Sequence, residues 1–289
     1  MGIVFSLLAI ICFTALYLVV GRSQEKHVDP YGLTVLIFLA GLVLSFLASM
    51  PFSPVQYPRQ LLITGTMMGT TAGIGLFGIA LSAKAGVPVS VINTVASLAL
   101  AIPVLLALIF YREIPQSYQT VGLLLSLVAI VLLQGSSAGT SAPPSWGSRG
   151  SIITMLWMML IFLGNGSAQF FQARLHLAGL DALQSSALVM MYISGAIFST
   201  GALLVFRGRV DRRAWGYGAA VGLASYAGNF SVLRALGALP PHIVFPVVIC
   251  GPIILTVLYA RVFEGVRLTG RQSVGLTCGV AAVLLLTVV

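Results

Sequence analysis

Ten apolar stretches, separated by short polar segments, occupy nearly the whole chain. A helix needs about 20 apolar residues to cross the hydrocarbon core of a bilayer. The pattern predicts spans over 2–21, 32–51, 61–83, 87–111, 117–134, 150–172, 183–206, 214–233, 241–260 and 272–289, the fifth and tenth being short. The last five repeat the first five. Gly65, Gly86 and Glu113 recur as Gly216, Gly237 and Glu264, each 151 residues later, and Arg22, Asp29 and Pro88 recur as Arg174, Asp181 and Pro240, each 152 later. Five is an odd number, so the second set must enter the membrane from the opposite face. The expected fold is therefore all-α and integral to the membrane: ten transmembrane helices as two inverted five-helix repeats. The repeats cover 1–134 and 150–289, and 135–149 is the linker. Around it, QGSSAGTSAPPSWGSRG from Gln134 to Gly150 has the Gly, Ser and Pro content of a flexible connector. Duplicated inverted units are the layout in which secondary transporters rock two bundles around a midplane site.

Composition supports the membrane reading. Charged residues are 7% of the chain, against about a quarter in soluble domains. Ten helices in 289 residues leave no room for a soluble domain. Span 1 lacks the basic start of a signal peptide, and its Arg22 and Asp29 have counterparts after span 6, so it reads as a true helix. Cys12, Cys250 and Cys278 fall inside apolar segments without paired spacing, which argues against a disulfide framework or a metal knot.

The net charge of +9 is spread over loops, its largest cluster being Arg207, Arg209, Arg212 and Arg213. That is a topology signal rather than a nucleic-acid groove. Loops 1–2, 3–4, 5–6, 7–8 and 9–10 carry eleven Lys or Arg; the other face carries Arg59, Arg112, Arg174 and Arg234. Basic loops stay cytoplasmic, so both termini are expected outside, in a bacterial cytoplasmic membrane.

No Asp, Glu, Lys or Arg lies deep in any predicted span. This removes the usual intramembrane carriers of protons and counter-charges. Of the titratable groups near a pathway, His242 at the start of span 9 is the candidate for coupling, with an interfacial role as the alternative. Prolines fall inside span 4 at Pro103 and span 9 at Pro246 and Pro252; such residues bend helices, and in transporters broken helices border the substrate cavity. Small residues at four-residue spacing, Gly65, Gly69 and Gly73 in span 3 and Gly218 and Gly222 in span 8, let backbones approach closely. The candidate substrate contacts are uncharged polar residues at mid-span depth: Asn93, Ser97, Asn165, Gln169, Tyr192, Ser225, Tyr226 and Asn229. Asn165 and Gln169 share a helix face four residues apart, which Gln172 extends, and Ser225 and Asn229 do likewise. Each amide either bonds across helices or lines a site for a neutral substrate.

Spans 4–5 read GVPVSVINTVASLALAIPVLLALIFYREIPQSYQTVGLLLSLVAIVLL, and spans 9–10 read ALPPHIVFPVVICGPIILTVLYARVFEGVRLTGRQSVGLTCGVAAVLLL. Both resemble the closing unit of an EamA-type repeat of the drug/metabolite transporter superfamily. That unit has a mid-helix proline, an acidic helix exit, a glutamine and a Gly-spaced last helix. Here these are Glu113, Gln119 and Gly122, then Glu264, Gln272 and Gly275. The resemblance implies a ten-helix inverted-repeat carrier of small metabolites, its cavity lined by helices 1, 3, 4, 6, 8 and 9. Small multidrug-resistance relatives use a glutamate in the first helix, whereas span 1 here offers only Ser6, Thr14 and Tyr17. Ten-span relatives are usually drawn with cytoplasmic termini, against the charge count. Glu113 follows Arg112, and Glu264 lies between Arg261 and Arg267; local salt bridges at the helix ends are expected, with gate latches as the alternative.

The expected function is alternating-access transport of a small polar metabolite. Flipping of a lipid-linked head group is the alternative within the same class. A membrane-embedded enzyme is the alternative from another, but no HExxH, DDxxD, GxSxG or paired-His pattern is present. No cofactor, metal or nucleic acid is called for. The partners expected are a small-molecule substrate and the lipid bilayer, with a coupling proton or ion and a monomeric or homodimeric state left open.

Overall fold

The computed structural model describes residues 1–49, 58–87, 89–111, 116–134, 148–265 and 268–287. Its helices are α1 (Gly2–Glu25), α2 (Pro30–Ser49), α3 (Arg59–Lys84), α4 (Val89–Leu98), α5 (Ala101–Tyr111), α6 (Ser117–Gln134), α7 (Ser148–Leu177), α8 (Gln184–Val205), α9 (Arg212–Leu236), α10 (Pro241–Phe263) and α11 (Gly270–Thr287), with a 3₁₀ turn at Asp181–Leu183 before α8. No strand interrupts them among the described residues. Among the described residues seven helices, namely α1, α2, α3, α7, α8 with its preceding turn, α10 and α11, are long and apolar enough to cross a membrane. α9 has the length, at 25 residues, but carries more glycine and polar side chains.

The predicted spans and the helices agree within a few residues, with one difference. Span 4 is two helices, α4 and α5, broken at Ala99–Leu100. The break falls one turn before Pro103, whose ring displaces the carbonyl four residues earlier and whose nitrogen cannot donate. Span 9 stays continuous as α10 over both Pro246 and Pro252.

Local chemistry sets the helix ends. Asp29 caps α2: its Oδ1 accepts the Tyr31 N–H at 2.9 Å, and Pro30 supplies a first residue with no donor to satisfy. Thr269 and Gln272 form a reciprocal box at the start of α11, the Thr269 N–H donating to Gln272 Oε1 at 3.0 Å and the Gln272 N–H to Thr269 Oγ1 at 3.3 Å. At α6, the Gln116 N–H donates to Gln119 Oε1 at 2.9 Å. α1 and α7 close alike, with His27 (φ 54°) and Gly179 (φ 69°) in the left-handed region. The next N–H in each case reaches back five residues, Val28 to the Ser23 carbonyl at 3.1 Å and Leu180 to the Leu175 carbonyl at 3.1 Å.

Glycines fix the register between helices. Gly65, Gly69 and Gly73 of α3 lie against Met190, Met191 and Phe198 of α8, numbers rising together, so these helices run parallel. Gly218 and Gly222 of α9 lie against Leu36 and Ala40 of α2, also parallel. Gly75 and Gly78 meet Asn165 and Ile161 of α7 in antiparallel order, as do Gly122 and Gly275 at the α6–α11 contact with Leu286 and Leu132. The main contacts join the two halves of the chain: α3 with α7 and α8, α9 with α1 and α2, α2 with α8, and α6 with α11. Replacing every helix by the one at the same place in the other half returns the same set of pairs.

Asp29 and Asp181 each tie a loop down. Asp29 pairs with Lys84 at 3.5 Å and accepts the Arg209 N–H at 3.3 Å. Asp181 pairs with His176 at 2.9 Å and accepts from Gln184 Nε2 at 3.2 Å, and that same amide donates to the Leu233 carbonyl at 2.9 Å. Each aspartate thus stabilises one end of the bundle.

Candidate functional site

A cavity of about 380 Å³ lies among helices of both halves, within the roughly 300–1,000 Å³ range of small-molecule sites. Its walls come chiefly from α1, α3, α4, α7, α9 and α10, with Ile37 and Phe38 of α2, Leu133 of α6 and Met191 of α8. Asn93, Ser97, Asn165, Gln169, Ser225 and Asn229 all face it, and Gln172 joins them. The apolar wall includes Phe13, Tyr17, Leu76, Phe245 and Ile253.

One end of the cavity is sealed. Gln172 (5% exposed), Val232 (2%) and Phe245 (2%) close it near the C-terminus of α9 and the N-terminus of α10. At the other end Tyr17 is 41% exposed and Asn93 is exposed. That end lies toward the C-termini of α1, α3 and α10, where Arg22, Lys84 and Arg261 sit. The cavity therefore opens toward the basic face. At its rim Arg22 Nη2 donates to Tyr259 Oη at 3.0 Å, joining the ends of α1 and α10.

The sealed end is a hydrogen-bonded floor. Gln172 Nε2 donates to Asn229 Oδ1 at 2.7 Å, and Asn229 Nδ2 donates to the Ser225 carbonyl at 2.8 Å. Tyr192 Oη and Ser225 Oγ are 3.1 Å apart, and Asn229 Nδ2 lies 3.5 Å from Tyr192 Oη. Tyr192 is fully buried and outside the cavity wall, supporting Ser225 and Asn229 from behind. Tyr226 also lies off the wall, half-buried between the rings of Tyr192 and Phe230. Higher up, Asn93 and Asn165 make no side-chain hydrogen bond among the described residues, and Gln169 Oε1 is buried without one. These amides have bonding capacity left, and for the buried Gln169 Oε1 an unmade bond costs about 1–3 kcal/mol.

Residues 1–134 match the family model of the EamA-like transporter family. The first 134 residues are thus similar to the EamA-like transporter family. With its long apolar helices, the chain is an integral, multi-pass membrane protein. A crystal structure of another protein superposes with a TM-score of 0.79 at 17% sequence identity, over 99% of this chain and 96% of that one, so the two share a fold. No functionally curated protein matches the sequence significantly.

The structure gives the EamA-like motif residues physical roles. Gln119 and Gln272 cap α6 and α11, and Gly122 and Gly275 let those two helices meet closely, a Cβ at Gly122 falling 2.9 Å from Leu286 Cγ and one at Gly275 2.8 Å from Leu132 Cβ. Glu264 ends α10 through its backbone N–H on the Ala260 carbonyl at 3.2 Å and forms no ion pair with Arg261. Glu113, Arg112 and Arg267 lie outside the described residues. Pro103 is buried at the α4–α5 break; Pro246 and Pro252 are buried within α10, beside the cavity residues Phe245 and Ile253. His242 is buried in the first turn of α10 and away from the cavity wall. The aromatic wall has no signature in the sequence, because Phe13, Phe38 and Phe245 look like any other apolar residue of a span. Tyr17 was visible there as one of the few polar groups of span 1.

Proposed function

We propose that this protein is a secondary transporter that moves a small metabolite bearing hydrogen-bonding groups across the cytoplasmic membrane by alternating access. The observation that carries this reading is the uncharged, amide-bearing cavity between the two halves of the chain, open at one end and sealed at the other. Two inverted five-helix repeats, 1–134 and 150–289, would supply the two bundles that rock. The family match over the first of these and the exchange of packing partners between halves support that arrangement. With the basic loops cytoplasmic, both termini face outward and the cavity is open inward. Outward opening then requires the Gln172–Asn229 floor and the Asp181 contacts to part.

The test is thermal stabilisation of the purified protein by a metabolite panel, followed by counterflow of each hit in proteoliposomes. A ligand that binds only the folded state raises its apparent stability. Stabilising ligands that also exchange across the membrane support the carrier reading. Ligands that bind and never exchange would overturn it.

A further inference from the structure

The cavity wall identifies a class of substrate, an inference that rests on the carrier reading above. Among the described lining residues there is no Asp, Glu, Lys, Arg or His. Desolvating a charged ligand without a fixed counter-charge costs several kcal/mol per ion. Arg22 bonds Tyr259 and is not part of the wall. A carboxylate or ammonium group would find no ionic partner among the described lining residues.

The polar groups are not evenly spread. The floor amides Gln172 and Asn229 bond each other, and Ser225 is engaged by Tyr192 and Asn229. Bonding capacity is left on Asn165 and Gln169, one helical turn apart on α7, and on Asn93 of the neighbouring α4. A primary amide offers an acceptor oxygen and donor hydrogens side by side. Its natural complement is another edge carrying both, as in a carboxamide, a lactam or a nucleobase. The remaining wall is aromatic and branched aliphatic, including Phe13, Phe38, Leu76 and Ile253, a surface that gains from burying an apolar ring.

We propose that the substrate is an uncharged amphipathic molecule with an apolar ring body and one amide-type edge, read by Asn165 and Gln169. The edge fixes orientation; the body supplies most of the burial.

The experiment compares 2-phenylacetamide with phenylacetate, which share a body and differ in the edge, and with acetamide, the edge without a body. Binding to the full-length protein in detergent is followed at pH 7.5. The amide is expected to bind at least about tenfold more tightly than the acid, one hydrogen-bonded edge's worth of discrimination, and acetamide to bind weakly. The apolar, similarly sized variants Asn165→Leu and Gln169→Met, which remove the partners of the edge, are each expected to weaken 2-phenylacetamide binding by about tenfold. Equal or tighter binding of phenylacetate by the unaltered protein, or unchanged 2-phenylacetamide binding in both variants, overturns the substrate class. If neither ring compound binds, the class is overturned as well. The carrier reading is judged separately, by whether any other metabolite of the panel exchanges in proteoliposomes.

Discussion

Gln172 on α7 and Asn229 on α9 share a 2.7 Å hydrogen bond although 57 residues separate them in the chain. It closes the floor of the cavity. Replacing Gln172 by Leu strands a buried amide oxygen on Asn229. We expect Gln172→Leu to lower stability by about 1 kcal/mol, between the mean membrane hydrogen bond and the full cost of an orphaned group. The double variant with Asn229→Leu should recover part of the loss. A double-mutant cycle on thermal unfolding checks this. Additive losses would show that the bond carries no coupling. Asn229→Ala and Asn93→Ala are each expected to impair transport while leaving the protein folded, and wild-type uptake in both would remove them from the substrate path.

Gly69 and Gly216 test the register. A Cβ at Gly69 would overlap the Met191 carbonyl and Ser194 Oγ of α8, whereas one at Gly216 meets nothing within 4 Å. Gly69→Val should therefore cost about 1–3 kcal/mol by overpacking. Gly216→Ala should be neutral or stabilising by up to about 1 kcal/mol through helix propensity. Thermal melting in detergent separates the two, and equal effects would argue against the α3–α8 contact.

Orientation is tested by labelling. In a background with Cys12, Cys250 and Cys278 replaced by Ala, single cysteines at the exposed positions Ala178 and Val210 report opposite ends of the bundle. An impermeant maleimide should label Ala178→Cys in intact cells and Val210→Cys only after permeabilisation. The reverse pattern would place the termini in the cytoplasm and turn the open cavity outward.

Pro103 tests the broken span. Pro103→Ala restores a donor and removes the ring clash with the Ala99 carbonyl, so α4 and α5 should be able to join into one helix. The uptake rate should fall if the break serves the transport cycle. Unchanged uptake would make the break a packing feature.

The helical elements were readable from the chain because their causes are local. Apolar run length marks the spans. Asp29–Pro30, Thr269–Gln272 and Gly179 mark helix ends through bonds within a few residues. Six of the eight polar candidates for the site, from Asn93 to Asn229, line the cavity. Tyr192 and Tyr226 do not, because depth in a span says how far along a helix a residue lies and nothing about which neighbour it faces. The paired prolines show the same limit. Pro103 coincides with a break and Pro246 and Pro252 do not, and residue type alone does not separate these outcomes.

The sequence by itself determined that this is a membrane protein of many apolar helices whose deep segments carry amides instead of charges. Tertiary structure decided which amides are already spent on one another. Gln172 meets Asn229, and Tyr192 meets Ser225, leaving Asn93, Asn165 and Gln169 with bonds to make. The 3.6-residue period places residues on a common face, but the facing helix is chosen by close packing at glycines far apart in the chain.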